Sequence, residues 1–392
     1  MRKKIAIITY SLCGGGAERT VANLLKYLDK DKYETHLVLM NSDIDYEIPE
    51  NQIIHYIEKS DRFESEWRKL VKLPMLAYRF AKYCKANQIE MVFSVMNRPN
   101  MVTTMARAFG LKAQLLISER FYTPYFYNND SMAGRFKTWL LKKCYRKADC
   151  ILPNSEGTRD ALQNMFGINT EYKVIKNPTN IESIRTRRFE EVTDSIDFNK
   201  FTFVDVAAFR DEKNHALLID AVADIRNRDF QLLLIGKGIL QDAMKEKVAS
   251  LNLQDKILFL PFADNPFKYL HRSSCFISSS LTEGFPNILI ESMICGLPVI
   301  AADCKTGPRE LLAPDTDINK VIAAGEIEIA KYGVLCAINS KASLVAAMNW
   351  ALDNPELLKL YKEKGLEKAE DYDYKKVIAE VSETFDHYLA KK

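Results

Sequence analysis

The sequence predicts an α/β protein built as two Rossmann-like domains, each a parallel sheet with helices on both faces. Three observations carry this. Short, almost wholly apolar runs such as Ile5-Ala6-Ile7-Ile8 and Leu232-Leu233-Leu234-Ile235 recur along the chain, which is the composition that strands buried on both faces require. Segments of helical periodicity lie between them, so strand alternates with helix. The alternation runs through twice in 392 residues, a length that suits two to three domains at roughly 150 residues each.

In chain order, the first half places strands near 4–9, 34–40, 91–96, 113–118, 150–153 and 172–175, with a helical pattern from Ala17 to Leu28. The second half places strands near 201–208, 230–235, 257–260, 275–279, 297–302 and 333–337. Its amphipathic helices fall near 214–226, 238–250, 286–295 and 341–352. Asn177-Pro178-Thr179-Asn180 has the chemistry of a break, and the charged stretch behind it, with Arg185, Arg187 and Arg188, that of a connection. The expected domains are therefore 1–178 and 179–372. Two open sheets facing one another would bind a ligand in the cleft at the carboxyl ends of their strands.

With 47% hydrophobic and 27% charged residues, the composition excludes a disordered or fibrous chain. No apolar run approaches the ~20 residues that span a bilayer, and Met1-Arg2-Lys3-Lys4 leads directly into a strand rather than a signal peptide. A soluble protein is expected. The eight cysteines are scattered, with no C-x-x-C pair, and read as buried thiols of a reducing cytoplasm. Residues 1–180 carry 28 Lys+Arg against 19 Asp+Glu and the remainder 27 against 33, so a basic first half, at +9, adjoins an acidic second half at −6. Such a first half suits an anionic partner: nucleic acid, phospholipid or a phosphorylated substrate.

Two motifs carry chemistry. Cys13-Gly14-Gly15-Gly16-Ala17-Glu18-Arg19 joins the first strand to the first helix, where bare backbone and the helix dipole favour an anion. It is neither a P-loop nor the dinucleotide fingerprint, and by itself equally suits a plain glycine turn. The second motif is Glu283-Gly284-Phe285-Pro286-Asn287-Ile288-Leu289-Ile290-Glu291. Pro286 suits the first turn of a helix, which sets Glu283 in the loop ahead and Glu291 over a turn inside. Two carboxylates around a helix start match a sugar nucleotide: amides for the diphosphate, one acid for sugar hydroxyls and the other for ribose. Glu291 sits among Leu289, Ile290, Met293 and Ile294, where an unpaired surface charge makes little sense.

With these residues in place, the chain resembles the retaining glycosyltransferases of family 4, which have the two-domain GT-B fold. The resemblance runs through Gly15 to Arg19, Asn154-Ser155, Lys176-Asn177-Pro178, Gly236-Lys237-Gly238, the Glu-x7-Glu of 283–291 and Thr306-Gly307-Pro308-Arg309-Glu310. It implies that Glu283 contacts the donor sugar and Glu291 the ribose. Gly15, Gly16 and the backbone from Gly284 through Phe285 and Pro286 to Asn287 would help to hold the donor. A basic pair for the diphosphate would be Lys213 and Arg210, with arginine two residues beyond the position, Ala208, where many members carry it. Where many relatives have a histidine, this chain has Glu119-Arg120, as bacterial transferases acting on lipid-linked acceptors do. The role of Arg120 lies between acceptor contact, phosphate contact and a pair with Glu119. The last segment, 373–392, resembles the family's helix that crosses back onto the first domain.

The Asp-x-Asp pairs at 43/45, 315/317 and 371/373 sit in polar loops and do not read as a metal site, so neither metal nor cofactor is expected. Cations Arg68, Lys69, Lys72, Arg79, Lys82 and Lys85 alternate with apolar residues over 68–85, and a second basic cluster surrounds Trp139-Leu140-Leu141. Both suit an anionic membrane surface, and both also suit solvated helices over an ordinary core. No helix-turn-helix, RNP or zinc pattern supports nucleic acid. The resemblance implies a cytoplasmic retaining transferase, either free or peripheral on the cytoplasmic face of the membrane. It would move a sugar from a UDP-linked hexose or N-acetylhexosamine to a glycan hydroxyl on a polyprenyl-diphosphate carrier, in lipid-linked oligosaccharide, capsule or O-antigen synthesis. The alternatives are a sugar-nucleotide epimerase and a non-catalytic nucleotide-sugar binding subunit.

Overall fold

A computed structural model of the chain describes residues 2–59, 64–127 and 131–391. Met1 and Lys392, which the sequence sets before the first strand and at the end of the last helix, lie outside the described residues. Two compact units result: Met1–Pro178 together with Tyr374–Lys392, and Thr179–Asp373.

The first unit has six strands: β1 (Lys3–Thr9), β2 (Tyr33–Leu39), β3 (Ile53–Tyr56), β4 (Met91–Val95), β5 (Gln114–Glu119) and β6 (Cys150–Pro153). All pair in parallel, in the order β3-β2-β1-β4-β5-β6. Parallel neighbours need a crossover, which is why a helix follows most strands. The two-residue period of a strand divides the apolar runs between faces. Ala6, Ile8, Val92 and Ile117 meet the helices Leu73–Ala86, Asn97–Ala106 and Met132–Tyr145, while Ile5, Ile7, Phe93 and Leu116 meet Gly16–Tyr27 and Tyr374–Ala390. Phe385, fully buried, sets the last helix by packing edge-on to Tyr33 at 6.2 Å and against Phe93 at 5.5 Å.

The second unit holds β7 (Thr202–Val206), β8 (Gln231–Ile235), β9 (Ile257–Leu260), β10 (Cys275–Ser278), β11 (Val299–Ala302), β12 (Ile327–Ile329) and β13 (Val334–Cys336). Their order is β12-β13-β11-β10-β7-β8-β9, parallel except for β12 against β13. Val204, Leu233 and Phe276 pack on the face of the helix Asn287–Ile294; Phe203, Leu232 and Ile277 pack on the face of His215–Asp224 and Lys341–Asp353. In both sheets the order reverses beside the first strand, between β1 and β4 and between β7 and β10. Such a reversal is where doubly wound sheets bind their ligands, at the carboxyl ends of the strands.

Three expectations need correction. The run 172–175 is not a strand, although it lies along β6: Ile151 N donates to Glu171 O at 2.8 Å and Lys173 N to Ile151 O at 3.1 Å. The next donor would be Pro153, which has no N–H, so the ladder stops at a single bridge. Pro286 precedes the helix Asn287–Ile294 as its capping residue rather than standing in its first turn. Seven cysteines are buried as expected, but Cys13 is half-exposed in the glycine turn, its Sγ 2.5 Å from Asp45 Oδ2.

Candidate active site

In the second unit, the loops leaving β7, β10 and β11 meet at the switch point of the sheet. Lys213 ends the tight turn Asp211–Lys213, and Asn214 closes that turn in the left-handed region, a conformation asparagine tolerates. Glu283 comes from the loop after β10. Lys213 Nζ lies 2.5 Å from Glu283 Oε1, and Ser280 Oγ donates to the same oxygen at 2.7 Å. Burial alone would pull the lysine pKa down, but the adjacent carboxylate outweighs it and holds the pKa above the ordinary lysine value. The amine is therefore a fixed cation. Glu283 Oε2 takes no hydrogen-bond donor from the described residues.

The backbone around Glu283 is fastened on both sides. Ser279 Oγ donates to Lys213 O and Asn214 O, each at 3.0 Å, and Leu281 N donates to Glu212 O at 2.8 Å. On the other side Glu283 N donates to Lys305 O at 3.0 Å, Thr306 N to Glu283 O at 2.9 Å, and Thr306 Oγ1 to Gly284 O at 2.7 Å. Gly307 then passes beneath the turn that starts the helix, with φ of +104°. A Cβ there would stand 2.5 Å from Pro286 Cδ and 3.2 Å from Phe285 Cα. Gly307→Ala therefore combines backbone strain with a steric conflict and is expected to cost about 1–3 kcal/mol of stability. The displaced Phe285-Pro286 turn should also raise KM for donor, so thermal melting and donor titration together check the prediction.

The other expected donor residues separate into two groups. Gly284, Phe285, Pro286 and Asn287 form the turn entering the helix, and Glu291, only 4% exposed, lies within it among buried Leu289, Ile290, Met293 and Ile294. Arg210 is not gathered with Lys213 and Glu283: its side chain is exposed, 3.9 Å from Glu212. Gly15 and Gly16 belong to the first unit, at the start of the helix Gly16–Tyr27, and the Glu18 carboxylate lies against Gly15. The acid that a helix start favours is thus already supplied by the chain. The acidic pairs are engaged elsewhere, Asp315 with Lys331 at 2.8 Å and Asp371 with Lys368 at 2.9 Å, and no metal-ligating cluster occurs among the described residues.

Sequence reading missed the hydroxyls. Ser279, Ser280 and Thr306 shape the loop that carries Glu283, and the run Ser278-Ser279-Ser280 at the end of a core strand was the available signal. It also missed the buried pair of His215 Nε2 and Asp205 Oδ2 at 3.2 Å, directly behind the turn of Lys213.

In the first unit, Glu119 and Arg120 close β5. Glu119 is fully buried; Tyr145 OH donates to Oε2 at 2.5 Å and Arg120 N to Oε1 at 3.2 Å. The Arg120 guanidinium makes no hydrogen bond to Glu119 and instead donates from Nη1 to Asn177 Oδ1 at 2.7 Å. Burial pushes the Glu119 carboxyl up to about 7. An unfolded chain ionises this residue near its ordinary value of 4.5, so its contribution to stability is present below that pH and is lost as pH rises towards about 7. Glu119→Gln should therefore flatten the fall in melting temperature between pH 5 and pH 8, since every tenfold difference in proton affinity between the folded and unfolded chain corresponds to about 1.4 kcal/mol. An unchanged slope would show that Glu119 ionises freely in the fold.

Two doubly wound parallel sheets in one chain are the architecture of the GT-B class of glycosyltransferases. Solved structures of that fold are similar over nearly the whole chain. Sucrose-phosphate synthase from Thermosynechococcus elongatus matches with a TM-score of 0.83 at 18% identity, covering 100% of both chains. HepE from Anabaena in complex with UDP matches with a TM-score of 0.74 at 17% identity, covering 98% of this chain and 100% of the other. The family model described as Glycosyltransferase Family 4 matches residues 14–183, and that described as Glycosyl transferases group 1 matches 188–368. The chain is 36% identical over 376 residues to the N-acetylgalactosamine-N,N'-diacetylbacillosaminyl-diphospho-undecaprenol 4-alpha-N-acetylgalactosaminyltransferase of Campylobacter jejuni, covering 96% of this chain and 97% of that protein. This chain belongs to glycosyltransferase family 4.

Proposed function

We propose that the protein transfers a hexose or N-acetylhexosamine from a UDP-linked donor, with retention of configuration, to a hydroxyl of a glycan carried on a polyprenyl diphosphate. The Lys213–Glu283 pair carries this reading: a fixed cation and an orienting carboxylate at the carboxyl edge of one sheet. Glu283 Oε2 orients a hydroxyl of the donor sugar. Lys213 neutralises charge as it develops on the leaving diphosphate, where an electrostatic group has its largest effect. The departing phosphate oxygen takes the acceptor proton on the same face of the sugar, so the chain supplies position and charge rather than a dedicated base. Side-chain cations and helix amides hold the diphosphate in place of a metal ion.

The relative named above supports the acceptor class, since its name specifies a diphospho-undecaprenol substrate and an alpha linkage. An alpha product from an alpha-linked nucleotide sugar is retention. A second Campylobacter jejuni relative, 23% identical over 332 residues, is likewise named for a diNAcBac-PP-undecaprenol acceptor. The solved complex of HepE with UDP supports the nucleotide.

A lipid-linked acceptor calls for membrane contact, at the cytoplasmic face of the inner membrane. No described helix is long and apolar enough to cross a bilayer. Over the helices Glu66–Val71 and Leu73–Ala86, however, Trp67, Val71, Met75 and Tyr78 form one exposed stripe, opposite the buried Leu73, Leu76, Ala77 and Phe80. From Trp67 to Ile89 the sequence has six cations and no acid. Apolar side chains flanked by cations suit an anionic lipid surface.

The test incubates the full chain with UDP-sugars and a polyprenyl-diphosphate-linked acceptor, with and without EDTA. Proton NMR of the product gives the anomeric configuration. Linked product of retained configuration, unaffected by chelation, is expected. Donor epimerised without acceptor, or an inverted linkage, overturns the reading.

A further inference from the structure

Two arginines are buried among the described residues, Arg120 at 8% exposure and Arg309 at 4%, and their surroundings differ. Arg309 faces two carboxylates, Asp303 and Glu328, and donates to Thr316 Oγ1 at 3.0 Å. At the carboxyl edge of the first sheet, partly buried Arg98 is likewise paired, with Glu58 at 2.9 Å. Arg120, at the same edge, has no such partner. Its hydrogen bond runs to the neutral amide of Asn177, and its Nε is buried with nothing to receive it. The neighbouring acid is turned away: Glu119 receives Tyr145 OH and the Arg120 backbone N–H. Burial draws the Arg120 pKa down to about 10, and the nearby Glu119 carboxylate offsets this only in part. Beside it, Asn154 donates to Arg120 O at 3.5 Å while its own Oδ1 is buried and unbonded.

A guanidinium this deeply buried with no hydrogen-bonded anion is costly to keep. With Nη1 taken by Asn177, the edge formed by Nε and Nη2 remains, and that edge presents two parallel donors with the spacing of two phosphate oxygens. We propose that Arg120 is an anion-binding residue that receives a phosphate or diphosphate group of a substrate on this edge. The inference rests on the transferase reading for the identity of that substrate. Two diphosphates meet in the reaction, the donor's and the carrier lipid's, and the same fork would take either.

The test compares the full-length parent with Arg120→Gln and Arg120→Lys. Melting without ligand is the first readout. Removing an uncompensated buried cation should leave Arg120→Gln at or above the parent's melting temperature, whereas an arginine with a purely structural role gives a lower melting temperature or insoluble protein. Stabilisation by inorganic pyrophosphate and by UDP, and KM for the lipid-linked acceptor, form the second readout. Arg120→Gln should lose the pyrophosphate shift, and Arg120→Lys should restore part of it. An acceptor KM raised tenfold or more with the UDP shift intact assigns the group to the acceptor; loss of the UDP shift assigns it to the donor. Destabilised variants, or folded ones whose pyrophosphate and UDP shifts and acceptor KM stay within twofold of the parent, overturn the proposal. Pyrophosphate binding and its loss are measured without turnover, so they read Arg120 even if the parent transfers no sugar from any donor tried.

Discussion

Glu283→Gln is expected to lower kcat by about 10²- to 10³-fold, the range found when one preorganised electrostatic contact is removed from a transition state. The substitution keeps size and shape and removes the negative charge. Oε1 is already committed to Lys213 and Ser280, so the effect must come through Oε2 and through the field of the whole carboxylate. The loop itself should survive. Its backbone is held by Ser279, Leu281, Thr306 and Lys305, and none of those bonds uses the Glu283 side chain. Lys213 loses its counter-charge, so melting temperature should fall, but turnover should collapse far beyond any loss of folded protein, and steady-state kinetics beside thermal melting separate the two. If turnover falls only as far as lost folding explains, Glu283 is a structural residue and the donor site lies elsewhere.

How far this site could be read from the sequence depends on which force fixes each part. Interior strands such as Lys3–Thr9 and Gln231–Ile235 were legible because burial on both faces forces a nearly continuous apolar run. Two of the edge strands were not: Ile53–Tyr56 has no fully buried residue, and Ile327–Ile329 is three residues long. Strand order was beyond reach because it depends on how helices pack across the sheet, not on any local run. Glu283 stood out by spacing and type, and Lys213 through the family resemblance. Their junction did not, since 70 residues separate them and only the adjacency of β7 and β10 brings them together. The placement of Arg210 was out of reach for a related reason: a side chain in a turn goes where the turn points it, and this one points to solvent.

Lys213→Ala is expected to reduce kcat/KM by a comparable ~10²- to 10³-fold, through the leaving group rather than the sugar. Removing this amine leaves Glu283 mostly buried, at 13% side-chain exposure, without its cation. Breaking one half of such a pair costs more than removing both. The two single variants and Lys213→Ala/Glu283→Gln therefore form a diagnostic cycle. If the residues act as one unit, the double variant should be little worse than the poorer single, giving a coupling about as large as one single effect, ~3–4 kcal/mol. Ligand binding adds a second distinction. Lys213→Ala should lose most of the stabilisation that UDP confers, because the amine meets the diphosphate, whereas Glu283→Gln should keep it, because the carboxylate meets the sugar. Equal loss of UDP stabilisation in both variants would show that the carboxylate acts by holding Lys213 rather than on the sugar. The assignment of separate roles to the two partners would then fail, although the pair would remain the centre of the site.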